Sequence, residues 1–565
     1  MEKITKSIKE HPNVLALIIV FFAGTIFFNQ TEIGFLSLGK FSFLEMLLAV
    51  VLGSLIYSRV KFGSDNLHII IKAVLGIGFI GGVYILSIIR SYGLGSLTSN
   101  IVTVFMFVLL LSLIVVVYAL YRSRQISAEQ IIGLIIFSGI LLRFAYVLFT
   151  SISEMQNDIG ELIDGQGHLG YVYYLYSYKQ LPDFDPRYRL QFYHPPLHHA
   201  ISALWLGLNT KLGFDFSRVG ENIQMLTLMY SSCILFAANG ILKKLKADVY
   251  TRMGALGVLA FFPYFVMQAG SVNNDTLVTL LMAVSLYLAL KWYDEPNFKN
   301  IILLGISIGS AMMTKVSGGF VAFAVVFLFV VKIVKERKKV WTFIKQYTVF
   351  GAITFPLGMW YPVKNKILYD LPLNYVQELP KELEQYIEKY NTVFQRLFDF
   401  SLNQFSSPAI VWSNQDANCD HNIFITMIKC AAFGEGNWFQ NDAFKIMIGR
   451  MVFWVLAALL ISLTVLFVYW VVKSKLELEK RIYALITVVV VFGLYIKFCF
   501  EYMFICTMNV RYVLIPLMLL VIGGMLGAGQ IRESKNSWVI NILHGVQIAF
   551  GILCVMLFIG YFLVH

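Results

Sequence analysis

Acids, cations and histidines gather at a few places in a chain that is otherwise apolar. The densest is Gln156–His199, QNDIGELIDGQGHLGYVYYLYSYKQLPDFDPRYRLQFYHPPLHH. Its first acid, Asp158, comes soon after the apolar run Ile131–Phe149 and just before Gly160, Gly165, Gly167 and Gly170. A carboxylate at the end of a span is partly desolvated yet reachable from water, which suits a general base. Glycines let backbone approach a ligand closely. A solvated loop acid is the plainer reading of a lone Asp, and the glycine run favours the functional one.

His194-Pro195-Pro196-Leu197-His198-His199 is the second cluster. The prolines fix the entry into a helix. The histidines could grip a phosphate, or a divalent metal if His168 or an Asp supplied a third ligand. Bonding to headgroups and neighbouring loops is an equal reading for His198 and His199. Asp183, Asp185 and Arg187, set among tyrosines, suit carbohydrate or headgroup contact, and a plain solvated turn fits them as well. Lys315 and Arg511 fall at span ends on the side where basic residues are scarce, which marks an anionic ligand or a carboxylate partner. Asn273-Asn274-Asp275 is a polar turn that could face the same cavity as Asp158. Arg143, inside a span, is read as pairing with a neighbouring helix.

The elements that position these groups are membrane spans. The chain has 565 residues, 58% hydrophobic and 14% charged, against about a quarter charged in soluble domains. Apolar runs near span length recur throughout. The net charge of +12 comes mostly from short basic connectors, so it is no sign of nucleic-acid binding. The expectation is an all-α polytopic membrane protein with about 15 spans and a cytoplasmic N-terminus. Residues 1–126 form an N-terminal extension of about four spans (Asn13–Phe28, Phe43–Tyr57, His68–Ile89 and Ile101–Tyr121). Residues 127–530 form the core, with long outer loops at 151–222 and 364–445, and 531–565 form a last span. In the second loop Lys381–Tyr390 reads as a helix, and Cys419 and Cys430 could form a disulfide.

Tyr193-His194-Pro195-Pro196-Leu197, placed after a span that ends in an acid, resembles the first outer loop of the protein O-mannosyltransferase family. Thr314-Lys315-Val316-Ser317 and Arg511–Pro516 are similar to segments of the wider GT-C superfamily of polyprenyl-phosphate-sugar-dependent transferases, which includes bacterial aminoarabinose transferases. The resemblance covers roughly Ser127 to Pro516. It implies a GT-C-type bundle and an inverting glycosyltransferase acting on the extracytoplasmic side. Asp158 would be the base, and Lys315, Arg511 and His194 would bind the donor phosphate. His168, Asp183, Asp185, Arg187, His198, His199, Asn274 and Asp275 would line the substrate or acceptor side. The donor would be a polyprenyl-phosphate-linked sugar and the acceptor a glycan, lipid or protein, at a membrane lipid surface. The family has an Asp-Glu pair where this chain has Asn157-Asp158, so only Asp158 inherits the base role. A transporter or flippase of a lipid-linked glycan is the rival reading, because Glu45, Lys72 and Lys497 fall in or near spans.

Overall fold

The computed structural model describes residues 12–29, 121–150, 152, 158–160, 165–213, 216–436, 442–533 and 537–564. Of the four expected N-terminal spans, the first is a helix, Pro12–Asn29 (α1). The other three lie essentially outside the described residues, as does the expected cytoplasmic N-terminus.

Apolar runs become helices, and short polar residues start them. Ala128–Phe149 (α2) begins at a capping box: Gln130 N–H donates to Ser127 Oγ, and Ser127 N–H donates to the Gln130 side chain at 2.7 Å. Two helices follow in the first polar stretch, Gly167–Tyr178 (α3) and Leu197–Lys211 (α4). Phe216–Lys244 (α5) comes next. The apolar run Met253–Met267 falls in two helices, Val249–Phe261 (α6) and Pro263–Met267 (α7). Pro263 has no N–H to give Leu259, so the helix breaks there. Arg143 of α2 answers that break. It is fully buried and donates to the carbonyls of Ala260 at 2.9 Å and Leu259 at 3.3 Å, and to Ser231 Oγ at 2.9 Å.

Asp275–Asp294 (α8), Phe298–Thr314 (α9), Ala322–Lys335 (α10) and Val340–Tyr369 (α11) continue the bundle. The second polar stretch holds a five-residue helix, Val393–Leu397 (α12), and an apolar one, Ile423–Phe433 (α13). Ala443–Lys473 (α14), Leu478–Glu501 (α15), Leu514–Glu533 (α16) and Ser537–Val564 (α17) close the chain. The main packing partners are α9 with α11, α14 with α16, α5 with α8, and α8 with α9.

Among the described residues eight helical segments are long and apolar enough to cross a membrane, and α6, α9 and α13 are shorter apolar helices. Many large apolar side chains on their outward faces are exposed, Trp454, Ile461, Val465 and Val472 of α14 for example. That belt is the surface lipid covers. The all-helical membrane architecture is as expected, and among the described residues there is no strand. The ends of the bundle differ in chemistry. At one end Lys244 and Lys480 both pair with Asp294, and Lys335 pairs with Glu479. At the other lie Asp158, Asp275, Lys315 and Arg511.

Lys381–Tyr390 is not a helix. Tyr386 pairs with Phe504, Ile387 N–H donates to Met503 O at 2.9 Å, and Asn414 N–H donates to Glu384 O at 2.7 Å. Cross-chain bonds use the groups a helix would need, and only the turn Glu388–Tyr390 remains helical. Cys419 and Cys430 are buried free thiols, so the disulfide left open above does not form.

Candidate active site

Asp158 is held in place by its own neighbours. Its backbone sits at φ 56°. Its carbonyl accepts the N–H of His168 at 3.1 Å, and that of Ile159 accepts Leu169 N–H at 2.8 Å. The Asp158 segment therefore lies on the first turn of α3. Two glycines make that possible. A Cβ at Gly160 would fall 2.1 Å from Gln166 O, and one at Gly167 would fall 2.4 Å from Gly160 N. The glycine run thus serves a backbone-to-backbone contact within the loop.

The Asp158 carboxylate is half-exposed and accepts from Arg511 Nη2 at 3.1 Å. Arg511 lies on the turn Val510–Val513, where Asn509 Oδ1 caps its N–H at 2.8 Å. Its Nε is 3.7 Å from Asp275, and its Nη2 donates to Tyr512 Oη at 2.9 Å. Asp275 opens α8 and pairs with Lys315 Nζ at 2.5 Å. The Lys315 ammonium also stands 4.9 Å from the centre of the Tyr512 ring. Asn274 Nδ2 donates to Thr314 O at 3.0 Å, tying the start of α8 to the end of α9, where Lys315 follows. Two cations and two carboxylates from four separate segments thus form one linked cluster.

These groups line a cavity of about 390 Å³. Asp158, His168, His194, Asn274, Asp275, Lys315 and Arg511, all expected in the site, contribute to it. Its remaining wall is largely apolar, including Val278 and Met282 of α8, Leu494 of α15 and Ile515 of α16. Tyr193 and Tyr375 meet edge to face at 5.6 Å beside the polar part.

The histidines form a stack. His168 Nδ1 and His199 Nε2 share a hydrogen bond of 2.9 Å, and His168 also stacks on His194 at 5.7 Å. Burial lowers His168, His194 and His199 well below the usual imidazole range, and takes His198 to about 4. His194 is therefore neutral at neutral pH, a hydrogen-bonding group rather than a charge. His198 and His199 do not line the cavity. His198 Nε2 donates to Val272 O at 2.7 Å and so anchors the turn that leads to Asp275. His199 stacks on Tyr171 at 4.2 Å. Among the described residues no three His, Cys, Asp or Glu side chains converge as metal ligands do, so neither the His-x-x-x-His reading nor a divalent cofactor finds a ligand set there.

Asp183, Asp185 and Arg187 are also absent from the cavity lining. Asp185 caps the short turn Pro186–Tyr188 and pairs with Arg187 at 2.5 Å, while Asp183 accepts from Tyr174 Oη at 3.1 Å. These bonds make the segment a self-paired turn. Lys497 does line the cavity and pairs with Glu501 at 2.5 Å, one helical turn away. Glu45 and Lys72 lie outside the described residues.

One acid escaped the sequence reading. Glu435 follows α13 in Gly434-Glu435-Gly436, and accepts from Asn509 Nδ2 at 2.5 Å, directly behind Arg511. Its signal was an acid between two glycines after an apolar run, which is a weak one.

Residues 193–360 match the model of the dolichyl-phosphate-mannose-protein mannosyltransferase family. The chain is also similar to the crystal structure of ArnT from Cupriavidus metallidurans bound to undecaprenyl phosphate. That similarity has a TM-score of 0.41 and 11% identity over 76% of each chain. No curated protein matches the chain. The family match starts at the first residue of Tyr193–Leu197 and takes in Asp275 and Lys315. Residues 193–360 are thus similar to that family's sequences, in line with the resemblance carried by Tyr193–Leu197.

Proposed function

We propose that this chain is an integral-membrane glycosyltransferase that moves a sugar from a polyprenyl-phosphate donor to an acceptor hydroxyl. The observation that carries the reading is the single cavity in which Asp158, Lys315 and Arg511 share space with an apolar wall. A phosphate on a polyprenyl chain needs that combination, cations for the head and hydrocarbon for the tail. The family match over residues 193–360 supports the same donor class.

In the reaction the acceptor oxygen attacks the anomeric carbon and the bond from that carbon to the phosphate oxygen breaks. Asp158 takes the hydroxyl proton, and the phosphate leaves with the electron pair, inverting the carbon. The leaving phosphate gains one negative charge, which Lys315 and Arg511 stabilise. Asp275 holds both cations at the place where this charge develops, and neutral His194 adds a hydrogen bond. Since the leaving group is already a good one, most of the catalysis is positioning and charge stabilisation. Asp183, Asp185, Arg187, His198 and His199 act in this scheme as supports of the loop.

The reading also places the N-terminus in the cytoplasm and the Asp158 end on the extracytoplasmic face. The basic connectors Lys243–Lys244 and Arg337–Lys339 at the far end support this orientation. The test is donor turnover by the purified protein in detergent, across a panel of polyprenyl-phosphate sugars with simple acceptors. Release of polyprenyl phosphate is the expected result. A folded protein that releases none from any donor, yet moves a lipid-linked glycan across vesicle membranes, would establish the transporter instead.

A further inference from the structure

Next to the cavity, linked to Arg511 through Asn509, stands a group that the mechanism does not use. Glu435 follows the glycine that ends α13, at φ 64°. Its Oε1 takes a hydrogen bond from Asn509 Nδ2 at 2.5 Å, and the other end of that amide, Oδ1, accepts the N–H of Arg511 at 2.8 Å. The Asn509 side chain is therefore clamped at both ends, and the turn that aims Arg511 into the cavity is fixed by Glu435 from behind.

We propose that Glu435 is a positioning residue for the donor phosphate, orienting Arg511 through Asn509 and setting the net charge of the phosphate site by its own ionisation. This rests on the function proposed above. The charges in the cluster explain the second part. Lys315 and Arg511 are balanced by Asp158 and Asp275, so the site is neutral without Glu435. An ionised Glu435 makes it negative and opposes an incoming phosphate. A protonated Glu435 keeps the hydrogen bond from Asn509 and removes the opposition.

Burial pushes the Glu435 carboxyl up to about 7, Arg511 opposes that rise, and Asp158 and Asp275 add to it. The other groups around it are the Cys506 thiol and, both raised by burial and neutral at this pH, the Cys430 thiol and the Tyr264 phenol. Glu435 is thus the group here that changes charge near neutrality, and donor affinity falls as pH rises through about 7.

The experiment measures binding of a polyprenyl phosphate to the purified full chain in detergent between pH 6 and pH 8.5. It compares wild type, Glu435→Gln, Glu435→Asp and Asn509→Ala. Gln keeps an acceptor for Asn509 without the charge. Subtracting its profile removes the ligand's own titration. Wild type should lose about tenfold more affinity than Glu435→Gln across that range, the scale of one added unit charge near the phosphate. Asn509→Ala should weaken binding at every pH while keeping the wild-type slope. Superimposable profiles for wild type and Glu435→Gln would overturn the charge role, and unchanged affinity in Asn509→Ala would overturn the positioning role. If wild type bound no polyprenyl phosphate at any pH, the proposed function itself would fall.

Discussion

Asp275 offers the most quantitative handle on the site. Its side chain is 5% exposed, pairs with Lys315 at 2.5 Å and lies 3.7 Å from Arg511. In Asp275→Asn, Arg511 keeps Asp158, but Lys315 loses the carboxylate it pairs with. Removing one partner of a buried pair costs about 3 kcal/mol. The site also moves from neutral to one net positive charge. One unit charge at about 10 Å in an effective dielectric near 20 is worth about 1.7 kcal/mol, or somewhat over tenfold in affinity. The variant should therefore unfold at lower temperature in detergent when empty. It should also bind polyprenyl phosphate about tenfold more tightly and recover part of its lost stability on binding. Turnover should slow as the product is retained. Thermal unfolding and binding titrations with and without polyprenyl phosphate measure both effects. A variant as stable as wild type, or one that binds polyprenyl phosphate less tightly, would refute the counter-ion role.

Two further substitutions separate support from chemistry. Arg143→Met leaves the carbonyls of Leu259 and Ala260 and the Ser231 hydroxyl without their donor. It should cost about 3 kcal/mol of stability, with activity per folded molecule unchanged; a loss of turnover without a loss of stability would contradict this. Gly167→Ala places a Cβ against Gly160 at φ 69°, which should displace Asp158 from α3 and reduce turnover at least tenfold while the melting temperature falls only modestly. Full turnover in that variant would show that Asp158 does not need its present seat.

The span ends were legible because apolar runs stop where the chain meets water, and polar residues at those stops stand out. That is how Asp158, Lys315, Arg511, His194 and Asn274–Asp275 could be picked from one sequence and then found around one cavity. Their individual partners were not legible. Asp275 pairs with Lys315 across 40 positions, and Asp158 meets Arg511 across 353. His198 and His199 look like cavity residues in sequence because nothing local reveals that Val272 and His168 take up their nitrogens. The charge pattern of Lys381–Tyr390 fits a helix, and the distant residues 414 and 503–505 divert its backbone bonds. The break at Pro263 falls inside the apolar run Met253–Met267, whose hydropathy alone shows no interruption. Its repair by Arg143 was not legible either, since the two lie on different helices.

The central claim is that Asp158 is the base of a polyprenyl-phosphate-dependent sugar transfer. The most direct measurement is release of polyprenyl phosphate from the best donor by wild type and Asp158→Asn, with donor binding followed in parallel. The account predicts that Asp158→Asn folds and binds donor but releases at least a thousandfold less polyprenyl phosphate. Release at the wild-type rate by a folded Asp158→Asn protein would contradict it.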